Sequence, residues 1–240
     1  MNILAVGAHP DDVEYYCSGT LAKYAQMGCR ITIASATSGN IGSAHHTMEE
    51  IARIRKAEAT RSAALIGAEF ICLDYDDEMF FYDKAARMKF IDLVRYAKAD
   101  VILTHNPVDY NPDHELTSRI LDDIAVMIPI AHLKTPHEPY GKIPSIYYYE
   151  TDNGMGFVPT DYVDITDTFE TKKAMCNCHE SQKQWMSDNY QEAYDGSTDN
   201  FIGYMTITAM FRGMQCGVRY AEGFCRSLKG YRVTPGRLLP

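Results

Sequence analysis

The run Ala8-His9-Pro10-Asp11-Asp12-Val13-Glu14 follows Ile3-Leu4-Ala5-Val6-Gly7 without a break. The apolar run has the composition of a parallel strand buried on both faces. A histidine and two adjacent carboxylates therefore leave the C-terminal end of a first strand. Open α/β sheets hold their ligands there. Pro10 fixes its own φ and biases His9 away from the helical region, so the turn is stiff. Neighbouring carboxylates repel, and a purely structural turn gains little from desolvating them. A divalent cation resolves the pairing, with one carboxylate as ligand and the other left as a base.

A second cluster repeats the pattern. Ala99-Asp100-Val101-Ile102-Leu103-Thr104-His105 reads as another buried strand, and a polar, proline-containing loop, Asn106 to His114, follows it. His9, Asp12 and His114 together make a two-histidine, one-carboxylate set. That set suits Zn²⁺ with one position open to water, and also suits Fe²⁺ or another divalent metal.

Between and beyond these clusters the chain alternates strands and helices. Strands are expected near 2–8, 30–37, 70–73 and 99–105, and helices near 17–28, 47–67, 84–98 and 114–128. Thr47 and Glu50 have capping-box spacing, and Gly28 and Gly67 sit where helices stop. Such alternation implies a Rossmann-like α/β fold, with a mostly parallel sheet flanked by helices. Strands one and four should be neighbours, because their loops must share an ion. Past residue 130 the pattern changes. Prolines mark a long loop, Ser145 to Glu150 and Asp161 to Ile165 read as strands, and helices are expected near 168–185 and 204–225. This half is expected to form a C-terminal extension around the crevice of a single domain, 1–240.

The net charge of −9 argues against nucleic acid as a partner. No apolar run reaches the roughly 18 residues of a membrane span, and the N-terminus enters a strand with no leader-like segment. Seven cysteines without a regular framework suggest reduced thiols and a cytoplasmic location. Cys176-Asn177-Cys178-His179 lacks the usual metal spacing. A homo-oligomer is the expected assembly.

At its motifs the chain resembles the LmbE-like, or PIG-L, family of zinc-dependent N-acetylglucosaminyl de-N-acetylases. Ala8 to Glu14 matches the family's AHPDDxE motif throughout, and Pro112-Asp113-His114 matches its second motif. Thr37-Ser38-Gly39, Arg55 to Ala59, Tyr162 to Asp167, His179-Glu180-Ser181-Gln182 and Arg219 to Phe224 carry the likeness through most of the chain. The resemblance implies removal of an acetyl group from a small N-acetylated substrate, such as a sugar conjugate. Many members carry His before the Pro-Asp-His, where this chain has Asn111. The family's His helps to stabilise the oxyanion or protonate the leaving group. Asn can donate a hydrogen bond but cannot carry a proton.

The expected roles follow. Asp11 is the general base, unless it only caps the helix after it. Asn111, Arg55 or a backbone N–H is the oxyanion donor, and Asp113 orients a neighbouring group. Arg55 either reaches the pocket or forms a surface salt bridge with Glu58. His105 either lines the pocket, touching substrate, or donates to a backbone carbonyl. Glu14 steadies the loop, and His179 is either a pocket or a structural residue. The loop Ser38 to Thr47 is a candidate lid. The acidic run Asp74 to Glu78 reads mostly as solvated loop, with one member free to hold a sugar hydroxyl. The competing reading is a non-catalytic metal- and ligand-binding protein that has lost turnover through Asn111.

Overall fold

The computed structural model describes residues 1–189, 200–230 and 234–240. One sheet holds seven strands: β1 (Asn2–Gly7), β2 (Arg30–Thr37), β3 (Glu69–Tyr75), β4 (Val101–Thr104), β5 (Ser145–Tyr149), β6 (Asp161–Asp164) and β7 (Ala221–Arg226). Their order is β3-β2-β1-β4-β5-β7-β6. The first five run parallel, and β7 lies antiparallel between β5 and β6. β1 and β4 are neighbours as expected, with Ile3 opposite Val101 and Val6 opposite Thr104.

Successive strand residues face opposite ways, and here both faces are covered. Ile3, Ala5, Val101, Leu103, Tyr147 and Tyr149 point into one core, while Leu4, Val6, Ile102, Ile146 and Tyr148 point into the other. This explains the unbroken apolar runs at 3–6 and 101–103. The first core is closed by α1 (Asp12–Gln26), α5 (Phe169–Asn177) and α7 (Asn200–Cys216). The second is closed by α3 (Lys84–Ala97) and α4 (Pro112–Ile124). The remaining helices are α2 (Met48–Ala64) and α6 (Glu180–Asn189). Thr47 and Glu50 form the expected capping box at α2. Gly28 and Gly67 take φ of 75° and 67° just past α1 and α2, a left-handed stop that glycine adopts without strain.

Two expectations in the second half fail. The helix expected near 204–225 ends at Cys216, and Gly217 (φ 80°) turns the chain into β7. The pairing that makes 221–226 a strand comes from β5 and β6, distant in sequence, so local periodicity could not reveal it. The helix expected near 168–185 breaks after Asn177, and α6 starts at Glu180. Among the described residues, no helix is long and apolar enough to cross a membrane.

Candidate active site

The loops after β1 and β4 meet, because those strands pair. His9, Asp12 and His114 bring their ligand atoms within 4.8 Å of one another, and the rings of His9 and His114 have centroids 5.4 Å apart. His9 Nδ1 lies 3.6 Å from Asp12 Oδ2, and His114 Nε2 lies 3.5 Å from Asp12 Oδ1. Donors around a tetrahedral Zn²⁺ with bonds of about 2.0–2.1 Å stand roughly 3.3 Å apart. The three side chains therefore stand close enough to share such an ion.

The far nitrogens strengthen the fit. His9 Nε2 is 2.9 Å from Asp77 Oδ1, and His114 Nδ1 is 3.0 Å from Asp109 Oδ1. A carboxylate behind each histidine fixes its orientation and makes it a better ligand. Burial works against a charged His9, but Asp113, Asp12 and Asp77 more than offset it and hold its pKa well up. Burial likewise opposes charge on His114, and Asp12 and Asp109 nevertheless raise it to about 9. Asp12 stays well below the usual carboxylate range although burial pushes the other way, because His114 and His105 face it.

Asp11 stands at the start of α1 with φ 145° and ψ −23°, and its side chain makes no capping bond. That backbone conformation is strained for a residue with a Cβ. The carboxylate turns instead to Arg55, with Oδ1 3.1 Å from Nη2. Burial pushes Asp11 up to about 6; Arg55 opposes the rise and Asp12 adds to it. Arg55 is 4% exposed and also donates to Pro10 O and Gly39 O, both at 3.3 Å. It is no surface residue, and Glu58 instead accepts from Ser181 N and Oγ.

Asn111 is the N-cap of α4. Its Oδ1 accepts from Asp113 N at 2.8 Å and His114 N at 3.3 Å, and its Nδ2 donates to Glu78 Oε1 at 2.8 Å. Asp113 Oδ2 accepts from Glu78 N at 2.8 Å and lies 3.6 Å from His9 Nε2. His105, expected to touch substrate, lies elsewhere. It is fully buried, stacks on His114 at 3.8 Å, accepts from Ala8 N at 2.9 Å, and has Asp12 Oδ2 at 3.1 Å. Its ring backs His114 and forms no part of the cavity wall. Burial, with His114 close by, lowers it to about 4, so a neutral ring sits there. Glu14 and His179 are also buried, 3.4 Å apart and behind the cavity.

Sequence reasoning did not assign Asp77 or Asp109. Asp77 belongs to the acidic run, yet it is 6% exposed, and Asn40 Oδ1 accepts its N–H at 2.9 Å. Asp109 lies inside the second cluster, five residues before His114. That spacing into a helix start was the available signal.

Above these residues lies a cavity of about 490 Å³. Its floor is His9, Asp11, Asp12, Arg55 and His114. Tyr15, Tyr110, Trp185, Phe201 and Tyr204 give it an aromatic wall. Ile41 and Gly42 of the candidate lid also line it, whereas His45 is exposed and pairs with Asp188 at 2.9 Å.

The GlcNAc-PI de-N-acetylase (PIG-L) family matches residues 4–125, half of the chain. The chain belongs to this family. The family match contains the whole floor of the cavity. The diacetylchitobiose deacetylase of Thermococcus kodakarensis is 25% identical over 99% of this chain and 84% of its own. Among solved structures, the N,N'-diacetylchitobiose deacetylase of Pyrococcus horikoshii superposes with a TM-score of 0.79. It is 26% identical, covering 94% of this chain and 83% of that one. The 4-carboxy-2-hydroxymuconate hydratase of Pseudomonas putida shares the fold with a TM-score of 0.81. It is 23% identical over 99% of this chain and all of its own.

Proposed function

We propose that this PIG-L member is a metal-dependent amide hydrolase that removes an N-acetyl group from an amino-sugar conjugate or a related small molecule. One observation carries the reading. A two-histidine, one-carboxylate set, each histidine backed by a carboxylate, adjoins the strained and buried Asp11 on the floor of one cavity. The deacetylase relatives support it.

His9, Asp12 and His114 would hold Zn²⁺ or a similar divalent ion. Such an ion acidifies water and polarises a carbonyl. Asp11, turned away from the helix cap and steadied by Arg55, takes the proton of the attacking water. It can then return that proton to the leaving nitrogen. Asn111 Nδ2 carries two hydrogens, of which Glu78 takes one; the second is available to the oxyanion. Asp77 and Asp109 keep the two histidines oriented, and Asp113 positions the Glu78 turn beside His9. The aromatic wall suits the apolar face of a sugar ring. The products are acetate and an amine.

The hydratase on this fold shows that water can be added to a different kind of bond, but the cavity disfavours that use here. Its named substrate is a carboxylate. The arginine in the described lining, Arg55, is already engaged by Asp11, Pro10 and Gly39. A non-catalytic ligand carrier accounts for the metal set but leaves the strain at Asp11 without a purpose.

Paired variants test the roles, with acetate release measured on a panel of N-acetyl sugars beside elemental analysis. Asp11→Asn keeps the metal and loses hydrolysis by roughly 10²–10⁴-fold, the range for a lost general base. Asp12→Asn loses metal. Equal loss of metal in both variants contradicts the assignment.

A further inference from the structure

Glu78 lines the cavity beside His9, and the mechanism above uses it only as a neighbour. It follows β3 in a tight turn closed by Met79 N donating to Asp76 O. Its φ of 61° is left-handed, a conformation in which glycine would be the relaxed choice. The chain nevertheless carries a side chain there, and ties it down twice. Glu78 N donates to Asp113 Oδ2, and Glu78 Oε1 accepts from Asn111 Nδ2, both at 2.8 Å. One of its carboxylate oxygens lies within 4.8 Å of a His9 nitrogen and of the Asp77 and Asp113 carboxylates.

A structural role explains this poorly. Asn111 caps α4 through Oδ1, without Glu78. A third carboxylate beside Asp77 and Asp113 adds repulsion. The charge balance of the floor points elsewhere. Asp11 faces Arg55, Asp77 faces His9, and Asp12 faces His9 and His114. Glu78 faces a neutral amide, and its Oε2 has no hydrogen-bond partner among the described residues. The Glu78 side chain is exposed at the cavity, and among the described residues it forms no ion pair.

Amide hydrolysis creates positive charge at one place, the departing nitrogen. We propose that Glu78 is a catalytic residue of this chain: its carboxylate accepts the N–H of the scissile amide and then holds the ammonium group of the product, with Asn111 fixing its position. The proposal rests on the deacetylase reading. The C–O bond forms as water loses a proton to Asp11, and the C–N bond breaks as that proton reaches nitrogen. The second water proton passes from the new carboxyl group to the amine nitrogen, so acetate and an ammonium depart.

An amide and an ester of one shape separate the possibilities. The probes are methyl 2-acetamido-2-deoxyglucoside and methyl 2-O-acetylglucoside, both offered to zinc-loaded protein. Glu78→Gln keeps an acceptor for Asn111 and removes the charge. It lowers kcat/KM for the amide by about 10- to 100-fold, the scale of a lost hydrogen bond to a charged group. It leaves the ester, metal content and melting temperature close to the parent's. The amine product, methyl 2-amino-2-deoxyglucoside, inhibits the parent and binds Glu78→Gln about 10-fold more weakly. Equal slowing of amide and ester, no slowing of either, or unchanged product inhibition overturns the assignment of Glu78 while leaving the deacetylase reading intact. A zinc-loaded parent that cleaves neither probe nor any N-acetyl sugar overturns the reading itself, and Glu78 with it.

Discussion

At the residue scale, the proposed function depends on which carboxylate stands behind which histidine. Asp109 orients His114 through a 3.0 Å contact, so Asp109→Asn should weaken metal binding by about 10- to 100-fold, as loss of such a partner does. Competition with a chelating dye measures it, and an unchanged affinity would rule out the orienting role. Asn111 caps α4 and, under the proposed function, also donates to the oxyanion; its variants separate the two. Asn111→Ala loses the cap on α4, about 1 kcal/mol, together with an oxyanion donor, about 10²–10³-fold in rate. Thermal melts and acetate release check each part. An Asn111→Ala that keeps full turnover would contradict the donor role, and an inert parent rescued only by Asn111→His would favour the non-catalytic reading. The cluster of His9, Asp12 and His114 was legible in the sequence because its members sit in two contiguous runs directly after strand-like segments. Asp77 was not, because Asp74 to Glu78 has the composition of a solvated loop. It is buried, with its N–H donated to Asn40 of a different loop.

At the scale of elements, the site is an assembly of strand-end loops held by one arginine. Arg55 projects from α2 between the β1 and β2 loops, and glycine makes room for it. A Cβ at Gly39 would lie 2.5 Å from Arg55 Nη1, and Gly39 has φ +65°. Gly39→Ala should therefore cost about 1–3 kcal/mol in strain and overpacking. It should also lower activity through the displaced arginine while the metal stays bound. A melt and a metal analysis decide this; unchanged stability and turnover would mean that the arginine has room to spare. The first four strands and helices were readable because each βα unit carries its own apolar run and stop signal. β7 was not. Its residues pair with β5 and β6, and only Gly217 hinted that the preceding helix had ended.

At the scale of the whole molecule, the second half completes the sheet and the cavity wall rather than forming the site floor. A buried pair ties the halves together. Lys172 Nζ on α5 lies 2.6 Å from Glu222 Oε1 on β7, and Glu222 accepts from Gly19 N and Thr20 N of α1 at 3.0 and 2.8 Å. Removing one partner of such a pair leaves a buried charge, so Glu222→Ala should cost about 3–5 kcal/mol. Denaturant unfolding reads the loss, and a cost under 1 kcal/mol would show that the pair does not join the halves. The central claim is that a metal held by His9, Asp12 and His114 turns this cavity into an amide hydrolase. The most direct test is acetate release from N-acetyl sugars by one preparation assayed as zinc-loaded, chelated and zinc-restored protein. The account predicts release with zinc, its loss on chelation and its return with the metal. Release that survives chelation, or none from the zinc-loaded protein, would contradict it.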